Sequence, residues 1–202
     1  MRTKIIIFCM LALAIGSCVP VLSLHPLYNE ADTIFEPKLV GSWVDDGNGI
    51  TMDFSRPEGE GKRYHFAYSQ MNEYLKRPMK GVFIARLVKL GNRLFLDFFP
   101  EEFPNGDIEE PNNYKWYANA FFLVPGHTFA VVDSIEPQLK IRITNSDEME
   151  DFLKKEPNAI RYENVSGHII LTTNTAELQN FVVKYADNRD VFCSELTLKR
   201  RR

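Results

Sequence analysis

Cysteine is scarce in this chain. There are three in 202 residues, Cys9, Cys18 and Cys193. None forms a C-x-x-C pair, which excludes the dithiol redox motif and the paired-cysteine zinc motifs. The four histidines, His25, His65, His127 and His168, are scattered and no two sit at metal-ligand spacing. No metal and no cofactor is therefore expected. The glycine-rich phosphate loop, the H-E-x-x-H pair and the G-x-S-x-G elbow are all missing. Positive charge is also short, with 24 Lys and Arg against 27 Asp and Glu and a net charge of −3. That balance leaves no basic footprint for nucleic acid. The terminal Lys199-Arg200-Arg201-Arg202 reads as a solvated tail.

Long apolar runs are lacking too. Ile5 to Ile15 is an uncharged apolar stretch of 11 residues, well short of the roughly 20 that a membrane-spanning helix needs. Arg2 and Lys4 precede it and the small residues Gly16 and Ser17 follow. Charged, apolar and small zones in that order make a secretory signal. Cys18 then has three possible uses: half of a disulfide, a catalytic thiol or a lipid attachment point. Ile15-Gly16-Ser17-Cys18 resembles the bacterial lipobox, an aliphatic residue and two small residues before an obligatory cysteine. The resemblance implies cleavage before Cys18 and fatty acylation on it. Residues 1–17 are then a signal peptide and 18–37 a lipidated N-terminus and tether. Residues 38–202 form one β-rich domain with a helical elaboration at 145–188. Loss of Arg2 and Lys4 moves the net charge from −3 to −5. More than one acyl chain holds a protein firmly to a bilayer, so the membrane is the first expected partner. Val19, rather than Asp, follows the cysteine, and by resemblance to enteric sorting this favours the outer membrane of a bacterial envelope. With Cys18 acylated, Cys193 has no cysteine partner in the mature chain and reads as a packed thiol.

Proline at 20, 26 and 37 interrupts the N-terminal region, but Leu22, Leu24, Leu27 and Tyr28 are too apolar for a purely solvated linker. Part of it, near His25-Pro26-Leu27-Tyr28, is expected to lie on the domain, with His25 as a latch. From Leu39 the apolar period is two. Ile50, Met52 and Phe54 alternate with polar residues, as do Tyr64, Phe66 and Tyr68. Gly81–Leu90 is a longer strand, turned at Gly91-Asn92 into Leu94, Leu96 and Phe98. Pro100–Asn113 is an acidic loop, and Tyr114–Val124 is an aromatic stretch. His127–Asp133 and Leu139–Thr144 continue an antiparallel meander.

The period then changes. Met149, Phe152 and Leu153 stand at helical spacing after Asn145-Ser146-Asp147, and Pro157 stops them. Ser166–Thr173 reads as a strand. Leu178, Phe181, Val182 and Tyr185 form a second helical face, and Ser194–Lys199 a last strand. Thr144-Asn145-x-x-Glu148 and Thr173-Asn174-x-x-Glu177 align at an offset of 29 residues. This is an internal repeat or simply two capped amphipathic helices after strands, each with a capping-box arrangement. Either way, two short helices with matching apolar faces should pack side by side. The fold class is α+β, mainly β: a curved antiparallel sheet or barrel followed by a β-α-β-α-β portion.

Aromatics make up 12% of the chain and concentrate in strands. They build a core or line an apolar pocket in a curved sheet. Gly41-Ser42-Trp43 resembles the G-x-W of the lipocalin-like first strand, which implies a barrel closed at one end by the tryptophan. Leu24-His25-Pro26-Leu27-Tyr28, Phe35-Glu36-Pro37-x-Leu39-Val40-Gly41-x-Trp43, Tyr114-Lys115-Trp116 and His127-Thr128-Phe129 resemble a family of bacterial lipoproteins without an assigned activity. The expected function is non-catalytic, with a small apolar ligand held over Trp43, Tyr64, Phe66, Tyr68 and Trp116. The alternative is a partner-binding or structural lipoprotein with a filled core. A hydrolase would need a nucleophile beside a base, or carboxylates fixed across a cleft, and neither is legible.

Overall fold

The computed structural model describes residues 19–56, 58–59, 61–72, 76–101 and 124–201. The chain is mainly β. Strands β1 (Leu22–Ser23) and β2 (Thr33–Ile34) belong to the N-terminal region. The meander follows as β3 (Gly41–Asp45), β4 (Ile50–Ser55), β5 (Arg63–Asn72), β6 (Arg77–Leu90), β7 (Arg93–Pro100), β8 (Thr128–Ser134) and β9 (Gln138–Ile143). Helix α1 (Ser146–Lys155), the hairpin β10 (Tyr162–Val165) and β11 (His168–Leu171), helix α2 (Thr175–Tyr185) and β12 (Ser194–Arg200) complete it.

Seven consecutive strands, β3 to β9, pair antiparallel with their sequence neighbours, and β12 pairs with both β9 and β3. The result is a closed eight-strand antiparallel barrel. Closure gives every one of those strands a partner on both sides over part of its length. β2 lies beside β6 beyond the end of β5, through Thr33↔Val88. The period-two pattern sets the register. Phe54, Phe66 and Phe83 are directly paired across β4, β5 and β6, so their rings share the inner face.

β7 breaks that alternation: Phe95, Leu96, Asp97 and Phe98 are all buried. Both faces of the barrel wall are covered there, because there are two cores. One fills the barrel, around Trp43, Phe54, Tyr64, Phe66, Leu96 and Ile141. The other lies between the outer wall and the helical module. It joins outward-facing Val88, Phe95, Phe129 and Val131 to Phe152, Leu178 and Phe181. The two helices touch through Phe152–Tyr185, with ring centroids 5.0 Å apart. Each is started by the expected asparagine: Asn145 accepts from Asp147 N–H at 2.9 Å and Asn174 from Glu177 N–H at 3.0 Å. Glu177 does not reach back to the cap backbone. It takes the Thr173 hydroxyl and Arg161 instead, which hold its carboxyl below the usual carboxylate range.

The Ser166–Thr173 segment is shorter as a strand than the sequence suggests. Ser166 has φ +54° and forms, with Gly167, the turn between β10 and β11. These strands make a second, three-stranded sheet in the order β1-β11-β10. Residues 19–37, read as a tether, are packed on the domain. Val21 and Leu27 are fully buried, β1 runs parallel to β11, and Ser146 N–H donates to Val19 O at 2.8 Å. The apolar side chains of this region cost less buried than trailing in water. Among the described residues no helix is long and apolar enough to cross a membrane.

Candidate functional site

One end of the barrel is closed from the sequence motif upward. Pro37–Leu39 forms a short 3-10 turn whose Leu39 is buried. Trp43 is fully buried and its indole N–H donates to Leu39 O at 2.9 Å. The Arg200 guanidinium lies over the Trp43 ring, 4.2 Å from its centroid. It also donates to Val40 O at 2.8 Å and to Lys38 O. Gly41 has φ +136°, and a Cβ there would collide with Arg200. The glycine of G-x-W thus admits the arginine, and the tryptophan carries it. Arg200, expected in a solvated tail, instead packs against this end of the barrel.

Of the five residues expected around an apolar ligand, Trp43, Tyr64 and Phe66 come together inside the barrel, each at most 5% exposed. Their space is occupied: the Phe54–Phe66 and Phe66–Phe98 ring centroids are 4.7 and 4.8 Å apart. Tyr64 accepts from Glu36 N–H at 2.7 Å, and burial pushes its phenol up. Tyr68 sits toward the opposite rim, half-buried, its hydroxyl donating to Gln70 at 2.7 Å. Half-buried Phe83, Ile143 and Leu196 face inward with it. Trp116, the other aromatics of the Tyr114–Val124 stretch, most of the acidic loop and Cys18 lie outside the described residues.

The histidines separate by place. His25 and His168 are exposed, and His65 pairs with Glu101 at 3.2 Å. Among the described residues no group of His, Cys, Asp and Glu could hold a metal ion. His127 is the one that reaches a buried acid: its Nδ1 is 2.7 Å from Asp97 Oδ1. The Asp97 side chain is 1% exposed, and its other oxygen accepts from Leu27 N–H at 2.8 Å. The Phe99 ring lies tilted against the imidazole, centroids 4.5 Å apart, and the Arg86 guanidinium lies 4.8 Å over the neighbouring Tyr28 ring. This group pins the His25–Tyr28 segment to the barrel wall, so the latch is His127 with Asp97 rather than His25. A lone acid within Leu94-Phe95-Leu96-Asp97-Phe98-Phe99 was the available signal for Asp97, since a buried carboxylate needs partners. Cys193 is half-buried, with its thiol 3.9 Å from Ile143 O.

Among the described residues, surface cavities lie outside the barrel, two of them beside α2. The larger, about 730 Å³, runs between β10 and α2 over Tyr162, Phe181 and Tyr185. The smaller, about 370 Å³, lies where α2 meets the β6–β7 turn. Set against family models, curated proteins and solved structures, the chain matches none of them.

Proposed function

We propose that this is a lipid-anchored protein of the bacterial envelope, non-catalytic, whose barrel is a packed scaffold and whose exterior binds a partner. The observation that carries this reading is the occupied interior. Trp43, Phe54, Tyr64 and Phe66 are at most 5% exposed, and Phe54 is in ring contact with both Tyr64 and Phe66, whereas ligand-holding barrels keep spare volume. The Gly41–Trp43–Arg200 plug on an eight-strand barrel supports the lipocalin-like resemblance of the scaffold. Anchoring rests on the charged, apolar and small zones before Cys18. A lipid there would hold the domain close, because Val19 is already hydrogen-bonded to α1 and one residue spans only about 3.8 Å. With Val19 after the cysteine, the outer membrane is the favoured address.

A second reading keeps a small apolar ligand, moved to the rim. Tyr68, Phe83, Ile143 and Leu196 face inward there without being fully buried. One preparation tests both. Cells fed radiolabelled palmitate should label the wild-type protein and not Cys18→Ser; an unlabelled wild type overturns the anchor. Native mass spectrometry of the protein extracted from its own membrane should show no bound small molecule. A stoichiometric apolar ligand that is lost in Tyr68→Ala would replace the packed-scaffold reading with the rim reading.

A further inference from the structure

Among the described residues, the small sheet has an open edge. Its order, β1-β11-β10, leaves β10 unpaired on its outer side. Val165 pairs with His168 across the two-residue turn Ser166-Gly167, which makes that pair the hydrogen-bonded one. Alternation then aims the main chain of Glu163 and Arg161 at β11, and Thr172 N–H does donate to Arg161 O at 3.1 Å. The same alternation turns the N–H and C=O of Tyr162 and Asn164 outward. Natural edges are usually blunted by proline, lysine, a bulge or a covering element. β10 reads Tyr-Glu-Asn-Val, in continuous register with β11; it is short and carries the single charge of Glu163, but none of the first three.

The element that could cover this edge stands off from it. The larger cavity separates β10 from α2, whose Glu177, Asn180, Phe181, Lys184 and Tyr185 form its far wall. Those positions share one helix face. The floor is apolar, with Phe181 buried and Tyr162 and Tyr185 half-buried. Arg161 and Glu177 pair at 2.9 Å at its side, so the groove has no strong charge of one sign. Main-chain donors and acceptors at strand spacing recognise another main chain, and an apolar floor beside them accepts every second side chain.

We propose that the groove between β10 and α2 takes an extended polypeptide segment of a protein partner, added as a fourth strand to the small sheet. This rests on the partner-binding reading and names the surface and the chemistry it would use. The occupant is an uncharged-to-mixed segment with apolar side chains at alternate positions.

The test uses the full chain in detergent micelles and a phage-displayed library of random linear nonapeptides. Peptides should be enriched, and methylating their amides one at a time should weaken binding about tenfold at alternate positions, the equivalent of one main-chain hydrogen bond. Asn164→Pro, which removes an outward N–H, and Asn180→Trp, which fills the groove from an exposed helix position, should each weaken it by a similar factor. One variant alters the β10 edge and the other the α2 wall of the cavity, so a folding defect in one leaves the other informative. Peptides indifferent to methylation and to both substitutions overturn the groove while leaving partner binding intact. If no peptide is enriched, the groove is overturned. If in addition photo-crosslinkers placed over the barrel and module surfaces in the cell give no adduct, partner binding falls as well.

Discussion

Arg142 points outward from β9, away from the barrel interior, yet its side chain is only 3% exposed. It donates twice to Asp133, at 2.6 and 2.8 Å, and once to Ala186 O at the end of α2, at 2.6 Å. One side chain therefore joins two barrel strands to the helical module. Its hydrogen bonds hold the Asp133 carboxyl below the usual carboxylate range. Replacing a fully buried pair member costs about 3–5 kcal/mol. Asp133 is 31% exposed and can be rehydrated, so Arg142→Ala should cost about 2–3 kcal/mol, read from urea unfolding at neutral pH. A carboxyl with a depressed folded-state pKa stabilises above its unfolded value and loses that contribution as pH falls through the folded one. The gap between wild type and Arg142→Ala should accordingly narrow as pH drops below about 4. A gap that stays constant would remove Asp133 as the partner that matters. In the sequence, Arg142 is one of the polar residues, with Lys140 and Thr144, that alternate with Leu139, Ile141 and Ile143. Its burial follows from what packs over β9, which alternation does not encode.

The strands were legible at the scale of elements wherever one face of the sheet is buried and the other wet. β4 and β5 show this. β7 is buried on both faces, so its run of large side chains carries no period. β10 was missed because three of its four residues are exposed. The helices announced themselves by cap and spacing together. Asn145 and Asn174 each satisfy a first-turn N–H, and α1 ends at Lys155, just before Pro157. Asn174→Ala should cost about 1 kcal/mol and lower the melting temperature by about 2–4 °C, followed by circular dichroism. Asn145→Ala should behave alike, since each asparagine satisfies one first-turn N–H. An unchanged melting temperature in both would mean that tertiary packing alone starts these helices. The 29-residue similarity is thus realised as two like-capped helices, but their preceding strands belong to different sheets, β9 to the barrel and β11 to the small one.

Taken as a whole, the molecule is a barrel with a second core built on its outer wall, and the N-terminal region is the seam. Val21 and Leu27 are fully buried in that second core. Leu27 N–H satisfies one oxygen of Asp97, and Thr175 and Gln179 of α2 donate to Pro26 O and Leu27 O at 2.9 and 3.0 Å. A chain starting at Asn29 would lose two buried aliphatics, about 1.5–3 kcal/mol each. It would also leave Asp97 short of a donor, about 1–3 kcal/mol more. Its urea midpoint should fall by at least a third, given total stabilities of about 5–15 kcal/mol. A midpoint equal to that of the chain starting at Val19 would return this region to the status of a tether. Composition, period and turn chemistry determined the mainly-β class, the antiparallel meander and the two capped helices, because those depend on neighbours within a few residues. Tertiary structure alone decided that the barrel closes, that its interior is filled, that Asp97 meets His127 and that β10 is left with an open edge. Each of these joins residues far apart in the chain, and side-chain period records which face is buried without recording what buries it.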